Sequence, residues 1–208
     1  MVEGKPFIEH QIQFLVAAGI TDIVLCTGHL GHQIEEHLGD GTSFGVEIRY
    51  SHETVSLGTA GALKNAEPLL RDEFISLYGD SYLFLDFVKA VSYFHSRPEP
   101  ALMTVYRNAG LYDRSNIVID GDLIGRYDNV NPDPRTVHIE YGANIFDKTV
   151  LAQVPENTFF SLGELFSSLI KQKALLSFEV SDRFYEIGSH QGLADFGEFL
   201  RQRKHSAS

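Results

Sequence analysis

The sequence predicts an α/β fold built on a mainly parallel, mixed sheet, and three observations carry that reading. Apolar runs of strand length alternate with stretches of helical period through the first half of the 208 residues, the pattern of βαβ units. Hydrophobic residues make up 43% and aromatic residues 12% of the chain, enough for a sizeable core. No repeat, low-complexity segment or linker interrupts it, so residues 1–208 read as a single domain.

The elements follow in order. Apolar positions 7, 8, 12, 14, 15 and 18 share one face of a helix over Phe7 to Ala18, with Pro6 suited to its first turn and Gly19 to its stop. Ile20 to Thr27 holds Ile-Val-Leu-Cys, a buried strand. Gly28 to Gly31 is a turn, His32 to Leu38 a short helix, and Val46 to Tyr50 a second strand after the loop of residues 39–43. Ser56 to Leu63 opens a helix that runs to about Leu70. Phe74-Ile75-Ser76-Leu77-Tyr78 is a buried strand closing on Gly79-Asp80, followed by a helix over Phe87 to His95 and a strand over Ala101 to Tyr106.

From Ser115 the texture changes. Residues 116–119 and 123–127 flank Asp120-Gly121-Asp122, which reads as a hairpin with an Asp-Gly turn. Residues 131–134 form a loop, and Val137 to Phe146 a strand interrupted at Gly142. Leu162 to Lys173 is an amphipathic helix; Phe178 to Val180 and Phe184 to Ile187 are short strands; His190 to Arg203 is the last helix.

Bulk properties narrow the function. A net charge of −11 argues against nucleic acid or an anionic membrane as partner. No apolar run reaches the length of a bilayer span and no basic-then-apolar leader is present, so the expected location is the cytoplasm. The single cysteine, Cys26, rules out a disulfide framework. The histidines show no zinc spacing, with His29 and His32 lacking a third ligand. Asp113-Arg114-Ser115 offers no nucleophile on a strand–turn–helix elbow.

Three stretches could carry chemistry. In an open parallel sheet the ligand crevice lies beyond the carboxyl ends of the strands, so Asp80, just past its strand, faces that crevice and suits a hard cation over a phosphate. Gly58-Thr59-Ala60-Gly61 opens a helix with small residues, which lets a ligand approach the backbone at a helix N-terminus; close helix packing accounts for it equally well. Glu186, at the end of a late strand before Gly188, is an exposed strand-end glutamate unless it shares one Mg²⁺ with Asp80.

With these residues in view, the chain resembles the sugar-1-phosphate nucleotidyltransferases, a GT-A-like family with a Rossmann-like, three-layer α/β/α fold. The segments that carry the resemblance are residues 4–11, Gly-Lys-Pro-Phe-Ile-Glu-His-Gln; 39–51; Leu57-Gly58-Thr59-Ala60-Gly61-Ala62-Leu63; Tyr78-Gly79-Asp80-Ser81; His138-Ile139-Glu140-Tyr141-Gly142; and Glu186-Ile187-Gly188-Ser189. The resemblance implies that Gly58, Thr59, Ala60 and Gly61 face the nucleobase, that Glu140, Gly142 and Asn129 meet the sugar, and that Asp80 and Glu186 hold Mg²⁺. The implied substrates are a nucleoside triphosphate and a sugar 1-phosphate, the products a nucleotide sugar and pyrophosphate, with a role in glycan biosynthesis. A homo-oligomer stays open.

Three departures from the family pattern set further expectations. The family's first strand, its Gly-Gly-x-Gly-Thr-Arg loop and its Pro-Lys-Pro lysine have no counterpart here, which implies a longer natural chain or a short form that binds without catalysis. The missing strand would lie centrally and leave its neighbours without hydrogen-bond partners. Asn129 stands where relatives carry a phosphate-binding lysine, with Arg126 or Arg107 as substitutes, and Glu186 replaces an aspartate.

Overall fold

A computed structural model describes residues 1–111, 114–131 and 133–206, with side chains described as far as residue 203. Asp113, from the Asp-Arg-Ser stretch, and Pro132, from the loop of residues 131–134, lie outside the described residues. The elements are α1 (Phe7–Ala17), β1 (Asp22–Thr27), α2 (Gly31–Leu38), β2 (Glu47–His52), α3 (Gly58–Ala66), β3 (Glu73–Leu77), β4 (Ser81–Tyr82), α4 (Phe87–His95), β5 (Ala101–Arg107), β6 (Ile117–Asp120), β7 (Leu123–Tyr127), β8 (His138–Asp147), α5 (Leu162–Lys171), β9 (Leu175–Val180), β10 (Tyr185–Glu186) and α6 (His190–Ser206).

Among the described residues, six strands form the main sheet in the order β3-β8-β5-β9-β7-β6, while β1 pairs only with β2, and β10 only with β4. β5 and β9 are parallel, and β8 runs antiparallel to both β3 and β5. Asp22 at the head of β1 meets Arg71, just ahead of β3, at 2.7 Å, so β1 and β3 start at the same end. Thus β1, β2, β3, β5 and β9 share one direction and β8 opposes them: a mixed sheet, parallel in its majority.

Period-two alternation splits the core into two layers. On one face, Leu102 and Ile145 of the sheet pack with Ile12 and Leu15 of α1, Leu38 of α2 and Phe94 of α4. On the other, Ala101, Met103 and Val105 pack with Ala60 of α3 and Leu165, Phe166 and Leu169 of α5. Helices on both faces give the three layers. The helix starts are locally encoded: Asp86 accepts from the Lys89 amide at the head of α4, and Ser161 with Glu164 forms a reciprocal capping box on α5.

Two irregularities of the strands shape the ligand-sized spaces of the molecule. Between β1 and β3 no backbone pairing exists among the described residues, although both edges face the same gap. Two cavities, about 550 and 360 Å³, line this gap and share Val24, Leu25, Ile75 and Leu77, so an apolar slot separates two strands of like direction. The second irregularity is a break in β8. Met103 and Val105 of β5 lie opposite Asn144 and Glu140, so two steps on β5 match four on β8. Gly142 sits in that excess at φ +100°, a conformation that side-chain-bearing residues rarely adopt.

Candidate active site at the strand ends

The break in β8 builds the floor of the site. In an unbroken strand, residues four apart lie about 13 Å from one another, at roughly 3.3 Å per residue. Here the Asn144 side-chain amide donates to Glu140 Oε1 at 2.9 Å, across the bulge in which two steps on β5 match four on β8. The Gly142 carbonyl in turn accepts from the Tyr78 amide at 3.1 Å, tying the end of β3 to the break.

Glu140 lies in a cavity of about 470 Å³ beyond the ends of β3 and β8, with Tyr78, Asp80, Asn129, Gly142 and Glu186 among its lining residues. Burial raises the Glu140 carboxyl above the ordinary glutamate range, an effect that hydrogen bonds from Asn144, Tyr78 and Tyr127 oppose. The Tyr127 hydroxyl is pushed up to about 12, chiefly by its own burial and then by the neighbouring Glu140. Tyr78 is raised for the same two reasons in the same order. Both phenols therefore stay protonated at neutral pH and serve as donors.

Asp80 and Glu186 come together at the rim. After β3 the chain turns through Gly79 and Asp80 into β4, which pairs with β10 so that Ser81 lies opposite Glu186. The Ile187 amide closes the pairing by donating to the Asp80 carbonyl at 2.9 Å. A Cβ placed on Gly188 would lie 3.2 Å from Glu186 Oε1 and 3.8 Å from Asp80 Oδ2, so both carboxylates reach one space that glycine leaves open. From α1, Gln11 Nε2 donates to the carbonyls of Tyr78 and Ser81, both at 2.9 Å, and pins the loop that carries Asp80. Neither carboxylate takes part in an ion pair among the described residues.

That donor set fits Mg²⁺. The ion takes oxygen ligands and commonly only one or two protein carboxylates, the rest of its octahedron being water and phosphate. Among the described residues no group of three or more His, Cys, Asp or Glu side chains forms a closed cage.

The stretch 58–61 occupies a different place. A Cβ on Gly58, which sits at φ +72°, would meet the Phe160 carbonyl oxygen at 2.8 Å, and one on Gly61 the Thr158 carbonyl oxygen at 2.9 Å. The amides of Ala60 and Gly61 both donate to the Phe160 carbonyl, and Thr59 Oγ1 accepts from the Leu162 amide at 2.7 Å. These contacts explain the small residues by packing against residues 158–162. Thr59 lines the slot between β1 and β3 rather than the cavity over Glu140, and Tyr78 borders both.

Asn129 does line the cavity, and its Oδ1 accepts from Asn116 Nδ2. Of the two arginines considered in place of the absent lysine, Arg126 is engaged with Asp128 at 2.9 Å and Asp133 at 3.4 Å. Arg107 ends β5, outside the described lining. Sequence reasoning missed Tyr78, Tyr127, Gln11, Arg114 and Asn116. No local pattern marks them, because α1, the end of β3, the β6–β7 hairpin and the segment before it bring them together from distant parts of the chain.

The nucleotidyl transferase family model matches residues 1–113. N-acetylmuramate alpha-1-phosphate uridylyltransferase of Neisseria meningitidis serogroup B is 43% identical over 100 residues, 47% of this chain and 43% of the relative. Mannose-1-phosphate guanylyltransferase of Mycobacterium tuberculosis is 26% identical over 170 residues, 80% of this chain and 47% of the relative. The chain spans about half the length of the curated relatives it matches. Among solved structures, HddC from Yersinia pseudotuberculosis superposes with a TM-score of 0.80 at 20% identity, covering 96% of this chain and 88% of that one. A Bacillus anthracis protein assigned as a glucose-1-phosphate thymidylyltransferase gives 0.82 at 23% identity, covering 97% and 85%. These two likenesses establish the Rossmann-like fold.

Proposed function

The chain belongs to the nucleotidyl transferase family, and from that premise we propose that it serves the transfer of a nucleotidyl group from a nucleoside triphosphate to a sugar 1-phosphate. One observation carries the reading: two carboxylates from separate strand ends converge at Gly188, on the rim of a cavity floored by the enclosed Glu140.

In the reaction, a phosphate oxygen of the sugar 1-phosphate attacks the α-phosphorus. The new O–P bond forms as the bond to the β-phosphate oxygen breaks, and pyrophosphate leaves with that electron pair. Such chemistry needs in-line placement and offset of phosphate charge more than covalent help. Asp80 and Glu186 would hold Mg²⁺, which when bound neutralises phosphate charge and polarises the α-phosphorus. Gln11 keeps the Asp80 loop in place. Glu140 and Asn129 take sugar hydroxyl groups, the protonated Tyr78 and Tyr127 hold the Glu140 carboxylate in orientation, and Gly142 leaves the floor open. Of residues 58–61, Thr59 is the one among the described lining residues of the slot, and it would face the base from that side.

The slot favours one more element. We propose that residues 1–208 form one domain in which the facing edges of β1 and β3 take a further parallel strand, and that phosphate-binding backbone reaches the site with it. Without that strand the chain would bind sugar phosphate and nucleotide with little or no turnover. The work belongs to glycan biosynthesis in the cytoplasm. Among the described residues no helix is long and apolar enough to cross a membrane, and Cys26 is a free thiol.

Titration calorimetry of Mg²⁺ and of a panel of nucleoside triphosphates tests the assignment. Asp80→Asn is expected to weaken Mg²⁺-dependent nucleotide binding tenfold or more, with an unchanged circular dichroism spectrum. Equal affinity in the two proteins would remove Asp80 from the site.

A further inference from the structure

Asp80 and Glu186 reach one space only while the short β4–β10 ribbon keeps its shape. Its ladder has two residue pairs, Ser81 with Glu186 and Tyr82 with Tyr185. A two-stranded ribbon on its own is marginal in water, so neighbouring elements have to fix this one. At the carboxylate end, Gln11 holds the Tyr78 and Ser81 carbonyls, and the Ile187 amide holds that of Asp80. At the far end the chain leaves β4 toward Phe84 and enters β10 from Phe184. The side chain that meets both is Tyr141.

Tyr141 is fully buried in β8, between Glu140 and Gly142. Successive residues of a strand face opposite sides. The Glu140 carboxyl therefore turns to Tyr127 and Asn144, and Tyr141 to the core layer of α1, α2 and α4. There its hydroxyl accepts from the Phe84 amide at 2.9 Å, and its ring meets Phe184 edge to face, with centroids 5.5 Å apart. Phe84 in turn lies edge to face against Tyr185 of β10, at 6.1 Å. The next residue of the break borders β4 directly, because a Cβ on Gly142 would lie 3.5 Å from Ser81 Cβ and Oγ.

We propose that Tyr141 is a positioning residue for the cation site: through the Phe84 amide and the Phe184 ring it clamps the far end of the ribbon and keeps Asp80 and Glu186 directed at one ion. It acts through the ribbon and not on the ion. The assignment rests on the reading of the two carboxylates as an Mg²⁺ pair, and adds a residue from a strand that carries neither of them. It also makes the cavity floor and the carboxylate pair one mechanical unit, since Glu140, Tyr141 and Gly142 are consecutive.

Calorimetric titration of Mg²⁺ without nucleotide, together with amide hydrogen exchange, decides it. Tyr141→Phe removes the hydroxyl and keeps the ring. Its Phe84 and Ile187 amides are expected to exchange about tenfold faster than in the native chain, and its Mg²⁺ affinity to fall severalfold. Phe184→Leu, at a half-buried position, tests the ring contact and is expected to weaken Mg²⁺ to a smaller extent. Leu102→Ala opens a cavity in β5, away from the ribbon, and is expected to leave Mg²⁺ affinity unchanged, which separates positioning from general loss of stability. Circular dichroism confirms folding of each variant. If Tyr141→Phe binds Mg²⁺ as tightly as the native chain while Asp80→Asn does not, the clamp is overturned and the carboxylate pair stands. An equal loss in Leu102→Ala would overturn the clamp as well. If Asp80→Asn and the native chain take up Mg²⁺ alike, the pair falls and the clamp with it.

Discussion

The main sheet and the β1–β2 pair are held by different means. In the main sheet β5 is flanked by backbone ladders on both sides, and Ala101 to Val105 are buried without interruption. Among the described residues the β1–β2 pair has no ladder to the main sheet. It is joined through side chains: Ile12, Ile23 and Ile48 pack into the same cluster as Leu102 and Ile145, and Arg71 reaches Asp22. Hydrophobic packing is non-directional and bridges a gap that hydrogen bonds, with their strict geometry, leave open. The candidate site sits at the rim of the continuous side, and Tyr78 lines both its cavity and the slot, with Gln11 and Ile187 bordering the slot beside it.

The same substitution on the two sides should expose the contrast. Leu102, fully buried on β5, should cost about 2–5 kcal/mol when replaced by alanine, the range for a leucine cavity in a close-packed core. Leu25, half-buried on the wall of the slot, should cost about 1 kcal/mol or less, near the scale of substitutions outside packed cores. Urea unfolding of Leu102→Ala and Leu25→Ala measures both. Equal losses would mean that the slot is as tightly filled as the core.

How far the sequence discloses the molecule depends on the same contrast. Long apolar runs and capped helices are legible: α4 has the bounds read from its pattern, Phe87–His95, and the Asp-Gly hairpin forms β6 and β7. β4 escapes because two residues carry no period. β9 begins at Leu175 rather than Phe178, and α5 stops at Lys171. The turn between them places Lys173 at φ +55°, a conformation that the sequence signals by glycine or asparagine and not by lysine. Within the site, an acid just past a strand picks out Asp80, and an acid before a glycine turn picks out Glu186. The hydrogen bonds around Glu140 depend on the β8 break and escape local reading. The small residues at 58–61 read alike whether they face a ligand or a neighbouring backbone, and here the backbone of 158–162 is their partner.

A buried carboxyl on the continuous side gives a pH-dependent form of the comparison. Burial raises the folded-state pKa of Glu140 above its unfolded value, so its contribution to stability is fully present below the unfolded pKa and is lost as pH rises through the folded one. Glu140→Gln removes this dependence. The variant should lose on the order of 1 kcal/mol in mild acid, the scale of one misplaced hydrogen bond, and that deficit should shrink steadily toward alkaline pH. Asp133 has the opposite sign. Hydrogen bonds from Arg135 hold its carboxyl down to about 2, so its contribution is present above the ordinary aspartate range and is lost as pH falls toward that value. Parallel urea curves of Glu140→Gln and Asp133→Asn, the first followed up to pH 9 and the second down through the aspartate range, separate the two. A deficit of Glu140→Gln that grows with pH would show that the hydrogen bonds from Asn144, Tyr78 and Tyr127 outweigh burial and hold the carboxylate better than water does.

Cys26 gives the smallest and most local test, because it lies on the slot itself and lines both of its cavities. Cys26 is exposed at the edge of β1, but its Sγ is directed to the Ala62 carbonyl oxygen at 3.6 Å, and the atoms crowded around the sulfur, followed by the nearby Glu53 charge, push the thiol up to about 11. The thiolate is the reacting species, so a raised pKa leaves little of it at neutral pH, although each thiolate is then the better nucleophile. The balance predicts iodoacetamide alkylation at pH 7.5 slower than that of an unhindered cysteine by roughly tenfold to a hundredfold, with the rate still climbing toward pH 11 and restored in urea. Fast alkylation at neutral pH would mean that the thiol sits in water, and the slot would then be a wetted cleft with no call for a strand. A strand seated between β1 and β3 would instead slow the labelling further without changing the rate in urea, because it covers the sulfur only while the fold is intact.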